Sequence, residues 1–352
     1  MKYLMVILAL VLLLPGCLDE IELKNQSFDT KAVVIQGKLV QGSPAVVEVS
    51  IQRIGDYSGS EVATYIGSAK VSLWNAAGAS VELAEVSSRR LYQAIIPSNH
   101  PTFKVQTGQA YHIRVTLLDG RQYESEPEVL LPNPELEKMD FQLADLALPD
   151  KKGFITTSTY LRFWVNTALK AANSSEKSKL RWELNAVYRL TDNAKKVCYN
   201  AEPQRVEKVF IFDGAAFNLN RLDTFYLADV KLDHRFAEGF HLTILQESLT
   251  PAAYNYWNQV KLLAERSGNM FEAPAAKIAS NIKSSTDPQE AAYGYFYATT
   301  QDTLRRYVNP AQVGSPTNYC PQPPQPRIGP TICDNCLLQT GSSLTKPAFW
   351  IE

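Results

Sequence analysis

Apolar residues that recur at every second position commit a chain to sheet, and this chain follows that rule through its first third. Ala32-Val33-Val34-Ile35-Gln36-Gly37-Lys38-Leu39-Val40, Ala45-Val46-Val47-Glu48-Val49-Ser50-Ile51, Lys70-Val71-Ser72-Leu73-Trp74 and Ser80-Val81-Glu82-Leu83-Ala84-Glu85-Val86 are rich in β-branched residues and largely alternate. Such strands turn one face to a core and leave the other free. Turn signals separate them: Gln41-Gly42-Ser43-Pro44, residues 75–78 and Ser98-Asn99-His100-Pro101. Asp119-Gly120 stands between residues 111–117 and 122–125, and Asp-Gly tolerates the positive φ of a tight hairpin turn. About seven short strands in about 100 residues predict an immunoglobulin-like β-sandwich over 32–131. Pro132-Asn133-Pro134 interrupts the pattern and marks a domain boundary.

The next stretch, 136–310, also reads as mainly β. Residues 160–165 and 180–188 are alternating, aromatic-rich runs that predict a pair of neighbouring strands, continued by 206–212, 240–246 and a late strand at 293–298. One α-helix is predicted at 251–267. Thr250 caps it, Pro251 suits its first turn and Gly268 closes it. Ala253, Trp257, Val260 and Ala264, with Tyr256 and Leu263 beside them, form a stripe that packs the helix on the sheet. Seven prolines fall between Pro310 and Pro330, so ladder pairing is not expected in the tail, 311–352.

The N-terminus carries an address. Lys2 supplies a positive charge, residues 3–14 are apolar and Gly16 precedes Cys17, the layout of a secretion signal over 1–16. The apolar run is short of the roughly 20 residues a spanning helix needs. Leu14-Pro15-Gly16-Cys17 resembles a bacterial lipobox, which implies acylation of Cys17 and a lipid anchor, followed by a polar tether over 17–31. Asp19, Glu20 and Glu22 resemble the acidic export address of surface lipoproteins. With Cys17 assigned to lipid, the other four of the five cysteines, Cys198, Cys320, Cys333 and Cys336, are an even set in a compartment that permits disulfides. Two bridges are expected, tying the tail to the second unit, and their three possible connectivities remain open. Cys333-Asp334-Asn335-Cys336 lies after a proline-rich tail rather than at a helix start after a strand, and lacks a second such pair. Structural sulfur is therefore favoured over a redox or zinc centre.

Little else points to chemistry. A net charge of −1 and a pI near 6.5 offer nucleic acid no basic surface. His100, His112, His234 and His241 are scattered without a zincin spacing. His112 and His241 sit in alternating runs and read as solvent-facing or locally bonded. Neither a Gly-x-Ser-x-Gly elbow nor a phosphate loop is present, so no cofactor, metal or catalytic residue is assigned. The 36 acidic residues single out no pair. Gly55-Asp56-Tyr57-Ser58-Gly59 reads as a connecting loop.

Several stretches together resemble the domain-of-unknown-function 4249 family of Bacteroidota lipoproteins. They are Gly67-Ser68-Ala69-Lys70-Val71-Ser72-Leu73, Gly108-Gln109-Ala110-Tyr111, Gln246-Glu247-Ser248-Leu249-Thr250-Pro251-Ala252-Ala253-Tyr254-Asn255-Tyr256-Trp257, Gly268-Asn269-Met270-Phe271-Glu272-Ala273-Pro274, Asn281-Ile282 and Ala292-Tyr293-Gly294-Tyr295-Phe296, with Cys333, Cys336, Lys346-Pro347 and Trp350 at the end. The resemblance implies an outer-membrane lipoprotein, often encoded near TonB-dependent receptors, with no catalytic residues to carry over. The expected role is a non-catalytic accessory or capture subunit of such a transporter, its partners the membrane and a TonB-dependent receptor and its ligand unknown. An adhesive or structural surface protein and a surface-polymer hydrolase stay open as alternatives.

Overall fold

The computed structural model describes residues 32–54, 63–150, 152–172, 174–202, 209–265, 278–320 and 331–350. The signal, Cys17, the tether, the 55–59 loop and the 268–274 motif lie outside the described residues.

The first stretch folds as β1 (Val33–Gln41), β2 (Ala45–Arg53), β3 (Thr64–Tyr65), β4 (Lys70–Asn75), β5 (Ser80–Val86), β6 (Leu91–Ile96), β7 (Ala110–Thr116), β8 (Gln122–Ser125) and β9 (Glu128–Val129). Its two sheets, β1-β2-β6-β5 and β5-β4-β7-β8, share β5. Val33, Ile35, Leu39, Val47 and Val49 meet Val71, Leu73, Ile113 and Val115 in one core, the inward parity of the alternating runs. A hairpin turn forms at Asp119-Gly120, but as a three-residue loop rather than the two-residue turn expected: Gly120 alone is at φ +89°, and the Leu117 N–H donates to the Arg121 carbonyl at 2.9 Å across residues 118–120.

The second stretch supplies β10 (Leu136–Pro149), β11 (Ile155–Ala168), β12 (Lys179–Thr191), β13 (Val197–Glu202), β14 (Phe210–Asp213), β15 (Arg221–Lys231) and β16 (Phe240–Leu249), then α1 (Pro251–Ala264). The runs at 160–165 and 180–188 were expected to pair and do not. The first lies in β11, between β10 and β15, and the second in β12, between β16 and the β13 and β14 segments. Their aromatic faces oppose each other across a second core, where Trp182 of β12 lies 5.2 Å from Phe225 of β15. Face-to-face stacking buries both apolar faces at once, which edge pairing alone would not. β10 escaped the sequence reading because its outer half lacks apolar alternation and is largely exposed. In α1 the Thr250 hydroxyl accepts from the Ala253 N–H. Ala253 and Tyr256 are buried, with Trp257 and Val260 packed beside them, while Ala264 lies exposed beyond the covered stripe. Among the described residues no helix is long and apolar enough to cross a membrane.

The chain then returns to the first unit through β17 (Ile282–Ser284), β18 (Ala292–Tyr293) and β19 (Phe296–Val308). β17 pairs with β8 and β18 with β1. β19 serves both sandwiches. Phe296 to Thr300 run parallel to Gly37 to Gln41 of β1, and Gln301 to Val308 run antiparallel to Glu247 to Phe240 of β16. At the switch the Thr299 hydroxyl accepts from the Ser248 N–H and donates to the Ser248 carbonyl, so the backbone of β16 stays satisfied where the ladder ends. The predicted boundary is pinned to the same place. The Asn133 side chain donates to the Gln246 carbonyl, and the Gln246 side chain donates to the Pro134 carbonyl. Three short pieces of the second stretch, Ile282–Ser284, Ala292–Tyr293 and Phe296–Thr300, thus add strands to the first sandwich.

Cys198 pairs with Cys336 and Cys320 with Cys333, so the two thiols of the C-x-x-C join different partners. The Cys198–Cys336 bridge spans 138 residues and stitches the tail to β13. A short strand β20 (Ser342–Ser343) pairs with β13, against the expectation of no ladder in the tail. It lies beyond the last proline of the rich segment, where amide donors are again present.

Gly294 is the tightest point of the return. It sits at φ +100°, and a Cβ there would stand 2.0 Å from the Ile35 carbonyl oxygen. Gly294→Ala is expected to lower stability by on the order of 3 kcal/mol, read by urea unfolding. A loss no larger than that of Gly314→Ala, also at positive φ but with open space around it, would contradict this reading of the β1 contact.

Candidate ligand cleft at the seam

Where β19 changes sheets, charged residues from both sandwiches converge beneath α1. Strand alternation places them there. Lys38 projects from the β1 face opposite Val33, Ile35 and Leu39. Arg181 and Glu183 project together from β12, opposite Leu180, Trp182 and Leu184. Glu247, fully buried on β16, receives four donors: the Lys38 ammonium at 2.8 Å, the Arg181 guanidinium at 2.7 Å, the Tyr297 hydroxyl at 3.1 Å and the Gln301 amide at 3.2 Å. Four donors fill the acceptor capacity of one carboxylate. Glu183 also accepts from Lys38 and Arg181, so two positive and two negative charges close on one another.

Burial pushes the Glu247 carboxyl up, but Lys38 and Arg181 outweigh it and hold its pKa well below the ordinary 4.5. Desolvation opposes the Lys38 ammonium, and Tyr297, Glu247 and Glu183 overcome it, so its pKa is raised. Arg181 is raised in the same way. Desolvation raises the Tyr297 hydroxyl. Glu247, Lys38 and Arg181 are thus held in their charged forms.

The roof is aromatic. The Arg181 guanidinium lies 3.9 Å from the centre of the Trp257 ring, and Tyr256 stacks on Tyr295 at 4.6 Å. Glu128 secures the helix start: its carboxylate accepts the hydroxyls of Thr250, the N-cap of α1, and of Tyr295. Desolvation raises the Glu128 pKa. Between roof and floor lies a cleft of about 220 Å³, completed by Gln36, Glu48, Ser50 and Leu91. An aromatic wall with a few fixed polar groups is the make-up of a small-molecule site, and this volume admits one ring-sized group.

None of the cysteines singled out from the sequence lies in this cleft. Cys198, Cys320, Cys333 and Cys336 form the tail staples, and Cys17 lies outside the described residues. The histidines are dispersed. His100 Nδ1 accepts from the Phe103 N–H, His112 Nε2 lies 3.1 Å from Glu124, and His234 packs beside Tyr188 and Tyr319. His241 corrects its reading as solvent-facing or locally bonded. It is 2 % exposed, neither ring nitrogen has a hydrogen-bond partner, and Tyr307, Phe349 and Trp350 surround it. Burial, with Arg305 nearby, lowers its pKa to about 4, so it stays neutral and serves as a seat for the tail. Among the described residues no group of three His, Cys, Asp or Glu side chains comes together to hold a metal.

A family model described as Domain of unknown function (DUF4249) matches residues 19–305. The chain belongs to this family. The DUF4249 match takes in every charged residue of the cleft and the whole of α1, and ends within β19 before the cysteine-stapled tail. No curated protein matches the chain at a significant level.

The charge cluster escaped the sequence reading although part of its signal was there. Leu180-Arg181-Trp182-Glu183-Leu184 alternates strictly, so the arginine and the glutamate share a face and look like a local pair. Nothing local announces that Lys38 and Glu247 join them.

Removing the Glu247 charge leaves the half-buried Lys38 and Arg181 with only the Glu183 carboxylate between them. Glu247→Gln should cost about 3–5 kcal/mol, measured by urea unfolding. Because the folded-state pKa lies below 4.5, this contribution is present above that pH and fades as pH falls beneath it. The fall in Tm between about pH 5 and pH 3 should therefore be shallower in E247Q than in the parent. Equal slopes would show that Glu247 does not carry the acid limb.

Proposed function

We propose that the chain is a lipid-anchored outer-membrane protein, held through Cys17 and facing the cell surface, that acts by contact as an accessory or capture subunit of a TonB-dependent transporter. The observation that carries the non-catalytic part is the state of the facing carboxylates in the cleft. A general acid needs a raised pKa and a free proton. Glu247 is held ionised instead, with Glu183 bound to the same two cations. Glu128, whose pKa is raised, is closed off by the Thr250 and Tyr295 hydroxyls. A rigid aromatic roof over a neutralised charge cluster suits holding a ligand or a partner's side chain better than transforming one.

Location and partner are supported by the lipobox resemblance, the acidic residues after Cys17 and the family's association with TonB-dependent receptors. The bridges Cys198–Cys336 and Cys320–Cys333 suit an oxidising compartment.

The test is extraction of membranes in mild detergent followed by purification of the chain and mass identification of what accompanies it. A TonB-dependent β-barrel in comparable amount is expected, together with acyl mass on the Cys17 peptide. A chain that arrives alone across several detergents would remove the accessory role and favour an adhesive or structural one.

A further inference from the structure

The strands β10 and β11 form a hairpin that outreaches its own sheet. β15 pairs with β11 only from Tyr160 onward, with one more bond from the Leu232 N–H to the Thr159 carbonyl. β10 and β11 continue to pair out to Pro149 and Ile155. Four residues of ribbon, 155–158, therefore project roughly 14 Å beyond the third strand, at about 3.4 Å per residue, before the turn is counted.

The composition of this projection runs against its exposure. Phe154 and Ile155 are each 68 % exposed and Leu148 is 42 % exposed, and residues 154–161 carry no charge. The acid of the turn is tied back to its backbone: the exposed Asp150 carboxylate accepts the N–H groups of Lys152 and Phe154 at 2.8 and 2.9 Å. Lys152 stands exposed beside the apolar tip. An apolar tip with a lysine at its rim matches the boundary of an anionic bilayer, where the side chains enter the acyl region and the ammonium meets headgroup phosphates.

Area argues against a protein partner at the same place. A stable protein interface takes about 800 Å² from each side. Three large apolar side chains on a two-stranded ribbon offer a few hundred at most, since even a buried aromatic contributes only about 150–250 Å². Insertion among lipid chains requires no matching shape.

We infer that the β10–β11 tip, centred on Leu148, Phe154 and Ile155 with Lys152 at its rim, is a membrane-docking element that seats the folded body on an anionic lipid surface. It fixes how the body stands on the bilayer, which an anchor at Cys17 alone would leave free.

The experiment places an indole at the tip of the full chain, Phe154→Trp, and adds vesicles of phosphatidylethanolamine and phosphatidylglycerol with or without phosphatidylcholine brominated along its acyl chains. Subtracting the emission of the parent, with its five tryptophans, isolates the added indole. Its emission is expected to shift to the blue and to be quenched at least about twofold by the brominated lipid, as for an indole within the interfacial layer. The same indole at Ser98, in an exposed turn, should stay unquenched. Lys152→Gln on the Phe154→Trp background should weaken vesicle binding about fivefold, and pure phosphatidylcholine should bind more weakly than the anionic mixture. Ile155→Trp serves as the second probe position. An indole at 154 and 155 that ignores lipid, or is quenched no more than at Ser98, would overturn the inference. So would a shift that appears only when a β-barrel partner is added. The readout is local, so a chain that lacks lipid on Cys17 yet shows quenching at the tip would refute the anchor and leave the tip standing.

Discussion

A carboxylate with four donors and no exposure is the point on which the two halves of this molecule meet. Glu247 belongs to the second sandwich by its backbone, yet one of its ligands, Lys38, comes from the first, and two more, Tyr297 and Gln301, come from the strand the sandwiches share. Isolating one charge in an interior is costly, and removing a partner from such a group costs more than the group contributes when intact. The cluster therefore penalises separation of the halves more than it stabilises either alone. β19 adds the covalent part of the same constraint, since no hinge can operate in a strand hydrogen-bonded to β1 at one end and β16 at the other.

The cleft follows from this junction. Two sheets meeting at a strand switch leave a concave angle on one side, and α1 fills part of it with Tyr256 and Trp257. Glu128 of the first unit fixes the helix start through Thr250, so roof and floor are referred to the same frame. At the far end of the second unit the tail is held by sulfur and by the seat around His241. There Trp350 lies 4.7 Å from the imidazole and 5.0 Å from Tyr199, centre to centre. Rigidity is spread along the body, while the β10–β11 ribbon projects from it.

What could be read from the sequence was what is local. Alternation located β1, β2, β4, β5 and β7, because period two is a property of neighbours. Thr250 and Pro251 announced the start of α1 for the same reason. The shared strand could not be read: Phe296 to Thr300 pair with residues more than 250 positions away, and their own pattern is as suited to one sheet as to the other. The opposition of β11 and β12 was mistaken for pairing because an apolar alternating strand states which face is buried and not which edge is bonded. Of the site, alternation alone puts Arg181 and Glu183 on one face of β12, a signal that went unused, whereas Lys38 and Glu247 required the fold. The cysteines were counted correctly as two bridges, but the connectivity depends on where β13 lies against the tail.

The seam makes one body out of two sandwiches, and differential scanning calorimetry of the oxidised full chain reads that unity in one experiment. A single transition with matching calorimetric and van't Hoff enthalpies is predicted, because neither half can release the other without stranding Glu247 and opening β19. Two resolved transitions, each with the enthalpy of one sandwich, would contradict the account.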